Sequence, residues 1–338
     1  MKKLSTLVFS VLLGNVMLAQ DIHFSQYYKA PILLNAANTG LIDDKDYRVG
    51  INYRNQAATI PVPYNTFSLF SDFALFRDKW ETSWLGAGVG FWRDVAGNGN
   101  LSLTKAQANL AYHVLTSERT SFSAGIGMSY NQRSVDFSKL TFDVQWDEFA
   151  FNKSAPNMEA NVTQKTTFLD VNAGINFSYY NNNNFFIKLG LGAQHINQPT
   201  ETFYAERNKI GLRPVMNLDV TYKASDKVMI NPSVYYTRQK RASELVGGAM
   251  FNINTNSGDL ALSTNEFEIG LYYRNKDAII GVAGYKFKNY HVNFSYDHTI
   301  SQLSQGNGGM GAVEISFIVT GLFRNPDQLR NTYGCPRF

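Results

Sequence analysis

The chain has 338 residues, 17% of them charged and 14% aromatic, and a formal net charge of +4 that falls to +2 without Lys2 and Lys3. A balance so near neutral argues against a nucleic-acid partner, and a single cysteine, Cys335, excludes an internal disulfide framework. No run of about 18 apolar residues follows the first twenty positions, so any membrane crossing has to be made by strands.

Residues 1–19 read as a signal peptide, with Lys2 and Lys3 ahead of an apolar run over residues 4–16 and the small Ala19 before Gln20. Met17, at the third position before the cut, is larger than usual. No Cys follows the run, so a lipid anchor is not indicated. Residues 20–44 carry neither a helical nor a strand period. Phe24, Tyr27, Tyr28, Leu33 and Leu34 are interrupted by Pro31, Asn35 and Gly40, which predicts a packed irregular segment at or in the mouth of the domain that follows.

From Asp46 a two-residue alternation takes over. The first predicted strand sets Tyr47, Val49, Ile51 and Tyr53 against Arg48, Gly50, Asn52 and Arg54. The second turns Phe67, Leu69, Phe73 and Leu75 one way and Asp72 the other. The third opposes Leu85, Ala87, Val89 and Phe91 to Gly86, Gly88 and Gly90, and the fourth opposes Ala106, Ala108, Leu110 and Tyr112 to Lys105, Gln107, Asn109 and His113. The fifth states the pattern most fully, with Phe122, Ala124, Ile126, Met128 and Tyr130 on one face and Ser123, Gly125, Gly127 and Ser129 on the other. Nine further segments repeat it, around Ile175, Leu189, Leu218, Val234, Met250, Ile269, Ala283, Phe294 and Ile315. Within the ninth, Pro232 suggests a bulge.

A soluble sandwich shows the same alternation with its apolar face inward. Repetition decides between the two. About fourteen segments of about ten residues, many with Gly, Ser, Asn or Lys on the second face, make the pattern of a transmembrane antiparallel β-barrel over residues 45–322. The long connections, residues 55–63, 134–165 and 197–211, fall on odd-numbered turns and the shorter ones mostly on even-numbered turns. This puts long loops outside the cell and both termini in the periplasm, with residues 256–263 and 275–277 as exceptions. Tyr53, Trp84, Trp92, Tyr112, Tyr130, Tyr179, Tyr236, Tyr273 and Tyr296 are expected to form interfacial girdles. Residues 323–338, polar and rich in turn formers, are read as a periplasmic tail, either a frayed end or a docking peptide.

No catalytic, metal or cofactor site emerges. The five histidines, His23, His113, His195, His291 and His298, stand without metal-ligand spacing, and a hydrolase would rest on fold analogy alone. The inward set Arg48, Arg54, Asp72, Lys105, Asp170, Lys188, Asp219, Lys223, Glu268, Arg274, Asp297 and Glu314 mixes both signs. Such a mixture predicts a closed or plugged barrel with an assembly or receptor role in preference to a porin.

The start of the mature chain, Phe24-Ser25-Gln26-Tyr27 with Pro31, Asn35 and Gly40, resembles the opening motif of the PorP/SprF family of type IX secretion system outer-membrane proteins. The similarity continues through Tyr53-Arg54-Asn55-Gln56, Asp72, Tyr112-His113, Tyr296-Asp297 and Gly311 with Glu314-Ile315, and ends in Cys335-Pro336-Arg337-Phe338. Ile22 and Ala36 stand where prolines are typical, and Ala57 where a tryptophan is common.

The resemblance implies a non-enzymatic component of the type IX secretion and gliding machinery in the bacterial outer membrane. Its partners would be membrane lipid, a secreted adhesin-like client recognised through its C-terminal domain, and periplasmic parts of the apparatus, with no cofactor. Phe142, Trp146, Phe149 and Phe151 are candidate client contacts or parts of a rim plug, and Cys335, Pro336, Arg337 and Phe338 are candidate periplasmic contacts. The alternative is an outer-membrane porin or small-solute channel.

Overall fold

A computed structural model of the chain describes residues 21–43, 45–56, 64–77, 79–80, 82–147, 149–152, 154–156, 164–181, 184–203, 208–255 and 265–323. The signal-peptide reading of residues 1–19 and the terminal Cys335-Pro336-Arg337-Phe338 lie outside them.

Fourteen strands close into a barrel in which every strand pairs antiparallel with its two neighbours. They are β1 (Tyr47–Gln56), β2 (Tyr64–Leu75), β3 (Ser83–Ala96), β4 (Leu101–Ser117), β5 (Thr120–Ser134), β6 (Lys165–Asn181) and β7 (Phe185–Gln194). The second half is β8 (Arg213–Lys223), β9 (Val228–Gln239), β10 (Ala242–Asn254), β11 (Asn265–Arg274), β12 (Ala278–Phe287), β13 (Tyr290–Thr299) and β14 (Met310–Gly321). Closure is made by β1 against β14, from Tyr47 opposite Gly321 to Gln56 opposite Ala312, so no edge is left unpaired. Both ends of the barrel chain therefore lie at one rim, here the terminus end. Residues 135–147, 149–152, 154–156, 195–203, 208–212 and 300–309 project from the other rim, the long-loop end.

The dyad of the sequence is the dyad of the wall. On β5, Phe122, Ile126, Met128 and Tyr130 are exposed on the outside while Ser121, Ser123, Ser129 and Asn131 are buried. No helix among the described residues is long and apolar enough to cross a membrane; the crossing elements are the strands.

Two expectations are corrected. Trp84 and Trp92 are buried inside the barrel, not part of an outer girdle. Both share the parity of Gly86, Gly88 and Gly90, and those glycines make the room: a Cβ on Gly90 would fall within the Trp92 ring's contact radius, 2.1 Å from it. Pro232 makes no bulge. Its strand keeps one register with β8, from Thr237 opposite Val215 to Met229 opposite Lys223, and Pro232 itself sits opposite Ala249 of β10. The proline faces outward; it has no N–H to give to the ladder, and the pairing with β8 lapses between Ser233 and Ile230 and resumes in the same register.

The interior is largely polar, with Asn, Ser, Asp and Glu buried around the wall. Two apolar clusters interrupt it. One joins Tyr27 and Leu34 to Val215, Tyr235, Val246, Met250, Tyr272 and Ile280; the other joins Ile22, Phe24, Ile32 and Leu33 to Phe70, Trp92 and Leu103. Each cluster lies between the wall and the segment that precedes β1.

Candidate functional site: the lumen and its N-terminal segment

Residues 21–43 run through the lumen from the long-loop end to the terminus end. Asp21 meets His195, just beyond β7, and Arg213, the first residue of β8, at 3.3 and 3.2 Å. At the opposite rim, Arg77 in the β2–β3 turn donates to the carbonyl of Ile42 at 3.0 Å. The path is a chain of short turns. Tyr27–Lys29 and Ala36–Asn38 form 3-10 turns, and Pro31–Leu34 forms one helical turn with proline in first position, where its missing N–H is not needed. A segment without period in sequence is therefore one whose backbone groups are satisfied by the wall and by its own turns.

The upper part is fixed by charge. Glu314 of β14 accepts from the backbone N–H groups of Ser25 and Gln26 at 2.8 and 3.1 Å. Arg54 of β1 stands between Asp297 and Glu314, at 3.3 and 3.4 Å, and also contacts the Ser25 hydroxyl. Ser25 donates to Asp297 at 2.6 Å, and Arg274 reaches Asp297 at 3.0 Å and Glu244 at 3.2 Å. All of these side chains are buried or nearly so, and such groups hold their place only when each has a partner. Gln26 adds Ser295 and Ser316 at 3.2 and 3.0 Å.

Lower down, Tyr27 shares a hydrogen bond with Ser233 at 2.6 Å and stacks on Tyr235, while Lys29 pairs with Glu268 at 3.2 Å. Asn35 accepts from the Ala37 N–H and donates to Asn176 at 3.1 Å and to the Leu191 carbonyl at 3.3 Å. The backbone here touches the wall directly: a Cβ on Gly125 would stand 2.5 Å from the Ala36 carbonyl. Near the terminus end, the Gly40 N–H donates to Asp72 at 2.8 Å, Arg48 clasps the same carboxylate at 2.7 Å, and Trp84 donates to the Gly40 carbonyl at 2.9 Å.

Asp21 and His195 hold the first turn at the long-loop end. Burial pushes the Asp21 carboxyl up, but the His195 hydrogen bond and the charges of Lys105, His195 and Arg213 hold it well below the usual carboxylate range. Burial pulls the His195 imidazole down, and it is outweighed by the hydrogen bonds and charges of Asp170 and Asp21, which raise it. Asp170 lies 3.1 Å from the other ring nitrogen.

The residues singled out in sequence separate into three groups. Phe24, Ser25, Gln26, Tyr27, Pro31, Asn35 and Gly40 are all buried between segment and wall. Their partners Arg54, Asp72, Asp297 and Glu314 come from the later parts of the same motif set. Trp146, Phe149 and Phe151 stand exposed on a short ribbon, Trp146–Asp147 against Ala150–Phe151, in the β5–β6 loop, with Phe149 91% exposed. Phe142 is half-buried against Phe137. Cys335 to Phe338 fall outside the described residues. His195, Asp170, Arg213 and Glu244 were not singled out as a group, since strands far apart in sequence bring them together and no spacing announces them.

Among the described residues no group of three or more His, Cys, Asp or Glu is placed to hold a metal ion. Among the described residues one serine–histidine pair exists, Ser123 Oγ to His113 Nδ1 at 2.7 Å. The other imidazole nitrogen is bonded to the Thr39 carbonyl at 2.8 Å and both residues are sealed beneath the segment, so the pair clamps Thr39 to the wall. A hollow of about 680 Å³ between Leu110, Ile126, Ile175 and Leu191 lies on the outward apolar face, away from all of these groups. Within the lumen a cavity of about 340 Å³ remains at the long-loop end, above Asp21.

A family model described as type IX secretion system membrane protein PorP/SprF matches residues 16–319. A comparison with curated proteins finds no match. Among solved structures, a Pseudomonas aeruginosa FadL homologue superposes with a TM-score of 0.54 at 8% identity, covering 86% of this chain and 93% of that one. The Ralstonia pickettii toluene transporter TbuX gives 0.53 at 11% identity over 86% and 92%. The Pseudomonas putida toluene transporter TodX gives 0.51 at 9% identity over 89% and 94%. At such identities the likeness is one of fold.

Proposed function

The chain belongs to the PorP/SprF family of type IX secretion system membrane proteins, and we propose that it supports secretion or surface anchoring of a large adhesin-like client, recognised through the client's C-terminal domain. The observation that carries this reading is the filled lumen. Residues 21–43 are bonded to the wall at both rims and along the way, and a barrel blocked in this manner is suited to hold or receive a protein, not to pass solutes. In this reading the molecule is non-enzymatic, and residues 1–19 are the export signal.

The long loops face the outside, where Trp146, Phe149 and Phe151, with Phe142 behind them, offer aromatic anchors to the client. Cys335, Pro336, Arg337 and Phe338 follow β14 from the terminus end and supply a contact for periplasmic parts of the machinery that drives secretion and gliding.

The second reading is a small-solute channel, in whose favour stand the cavity at the long-loop end and the fold shared with toluene transporters. Deleting the gene and quantifying surface proteins separates the two. Loss of one specific large protein from the surface, with solute uptake unchanged, supports secretion. An unchanged surface with impaired uptake of small solutes supports the channel.

A further inference from the structure

The cavity above Asp21 has walls that the secretion reading does not use. Its floor is Asp21 and His195, one wall is Arg133 of β5, and another is the ribbon that pairs Thr200–Glu201 with Asn208–Lys209. Gln239 and Lys240 close it from the β9–β10 turn, and Leu103, Phe168 and Ile210 form an apolar side.

Charge around this space is unbalanced. Lys105, Arg133, His195, Arg213 and Lys240 face Asp21, Asp170, Glu201 and Glu244 among the described residues. The four carboxylates are already engaged: Asp21 by His195 and Arg213, Asp170 by His195, Glu201 by Nε of Arg133 at 2.7 Å, and Glu244 by Arg274 at 3.2 Å.

The remaining donors are free. Apart from the ion pair of its Nε with Glu201, the Arg133 guanidinium has no polar partner among the described residues, although its side chain is only 16% exposed and it lines the cavity. Lys105 is buried and makes no hydrogen bond or ion pair among them. Lys240 has a single contact, to the Asn208 amide oxygen at 3.5 Å, which is the limit of a hydrogen bond. Lys209, Arg238 and Arg241, exposed and next in sequence to lining residues, add positive charge at this rim and favour the approach of anions.

We propose that this cavity binds an organic carboxylate carrying a short apolar stem. The carboxylate is taken by the terminal nitrogens of Arg133, in the forked geometry that suits a planar two-oxygen anion, with Lys240 beside it. The stem lies against Leu103, Phe168 and Ile210. The same chemistry is offered by a free short-chain acid and by the C-terminal residue of a peptide.

The test is calorimetry on the purified full-length protein in detergent with three probes: hexanoate, the tripeptide acetyl-Gly-Ala-Leu with a free terminus, and its C-terminal amide. At least one acid is expected to bind, with the amide at least about tenfold weaker, since a charge-assisted pair is lost. Lys240→Gln is expected to weaken the acid about threefold or more, and Arg133→Lys to weaken it while keeping the charge. Hexanoate binding without the peptide acid supports the site with a free acid as its ligand; the reverse supports it with a peptide terminus. Equal affinity for acid and amide, no binding of either acid, or binding indifferent to both substitutions overturns the proposal.

Discussion

Replacing Arg54 by methionine removes the one cation paired with Glu314 among the described residues and leaves a side chain of similar length. Asp297 keeps Arg274 at 3.0 Å, while Glu314 keeps only the Ser25 and Gln26 N–H groups at 2.8 and 3.1 Å. Breaking one side of a buried ion pair costs about 3–5 kcal/mol, and the retained partners place this case near the lower bound, at about 3 kcal/mol. That loss corresponds to about a hundredfold larger opening equilibrium for the top of the segment. Hydrogen exchange at the Ser25 and Gln26 amides, in detergent, reads it directly. Arg54→Met should accelerate both by about two orders of magnitude, with β-strand amides unaffected. Adding Glu314→Gln removes the stranded charge and should restore much of the protection, a coupling of about 1–3 kcal/mol. Unchanged exchange in the single variant, or additive losses in the double, would refute the view that this cluster holds the segment.

Other consequences are as direct. Gly125→Val drives a side chain into the Ala36 backbone, so it should destabilise by about 1–3 kcal/mol or more in thermal unfolding and loosen exchange around residues 36–40, whereas Gly281→Ala, with open space around it, should do neither. The Asp21–His195 contact should be pH-dependent. The raised imidazole of His195 stabilises the folded state fully below its ordinary 6.5, and that contribution is lost as pH rises through the folded value; the lowered Asp21 carboxyl contributes above 3.8, and that is lost as pH falls through its folded value. Exchange at Ile22, whose N–H donates to Asp21, should therefore quicken on the alkaline side of 6.5, and His195→Gln should abolish that rise. Trp146→Ser and Phe149→Ser, at exposed positions, should change stability by less than about 0.5 kcal/mol while reducing the amount of client at the cell surface, measured by surface proteolysis and mass spectrometry.

The barrel was legible in the sequence because each strand carries its own evidence: the alternation around Phe122 to Tyr130 needs no information from elsewhere in the chain. Direction was legible too, except where room decided it. The preference of aromatic rings for the interface points Trp84 and Trp92 outward, yet strand parity with Gly86, Gly88 and Gly90 places them within. Pro232 suggests a bulge, yet its strand holds one register on both sides and the proline faces outward.

The site was harder to read. The mixed charges of Arg54, Asp72, Asp297 and Glu314 predict a network across the strands, and Arg48 with Asp72 and Lys188 with Asp219 are such pairs. The larger share of the network instead reaches inward to Ser25, Gln26 and Gly40. Partners separated by more than two hundred positions, such as Ser25 and Glu314, leave no periodic trace. The only hint was that the opening motif and the strand motifs resemble one family in the same order, which is what two surfaces in contact within that family would produce.

The central claim is that the lumen is closed by its own N-terminal segment, and conductance of the purified full-length protein in planar bilayers tests it most directly. A silent bilayer, with channel events appearing only when the segment is loosened by Arg54→Met or Gly125→Val, is the predicted result. A steady open conductance from the unaltered protein, sustained at low voltage, would contradict it.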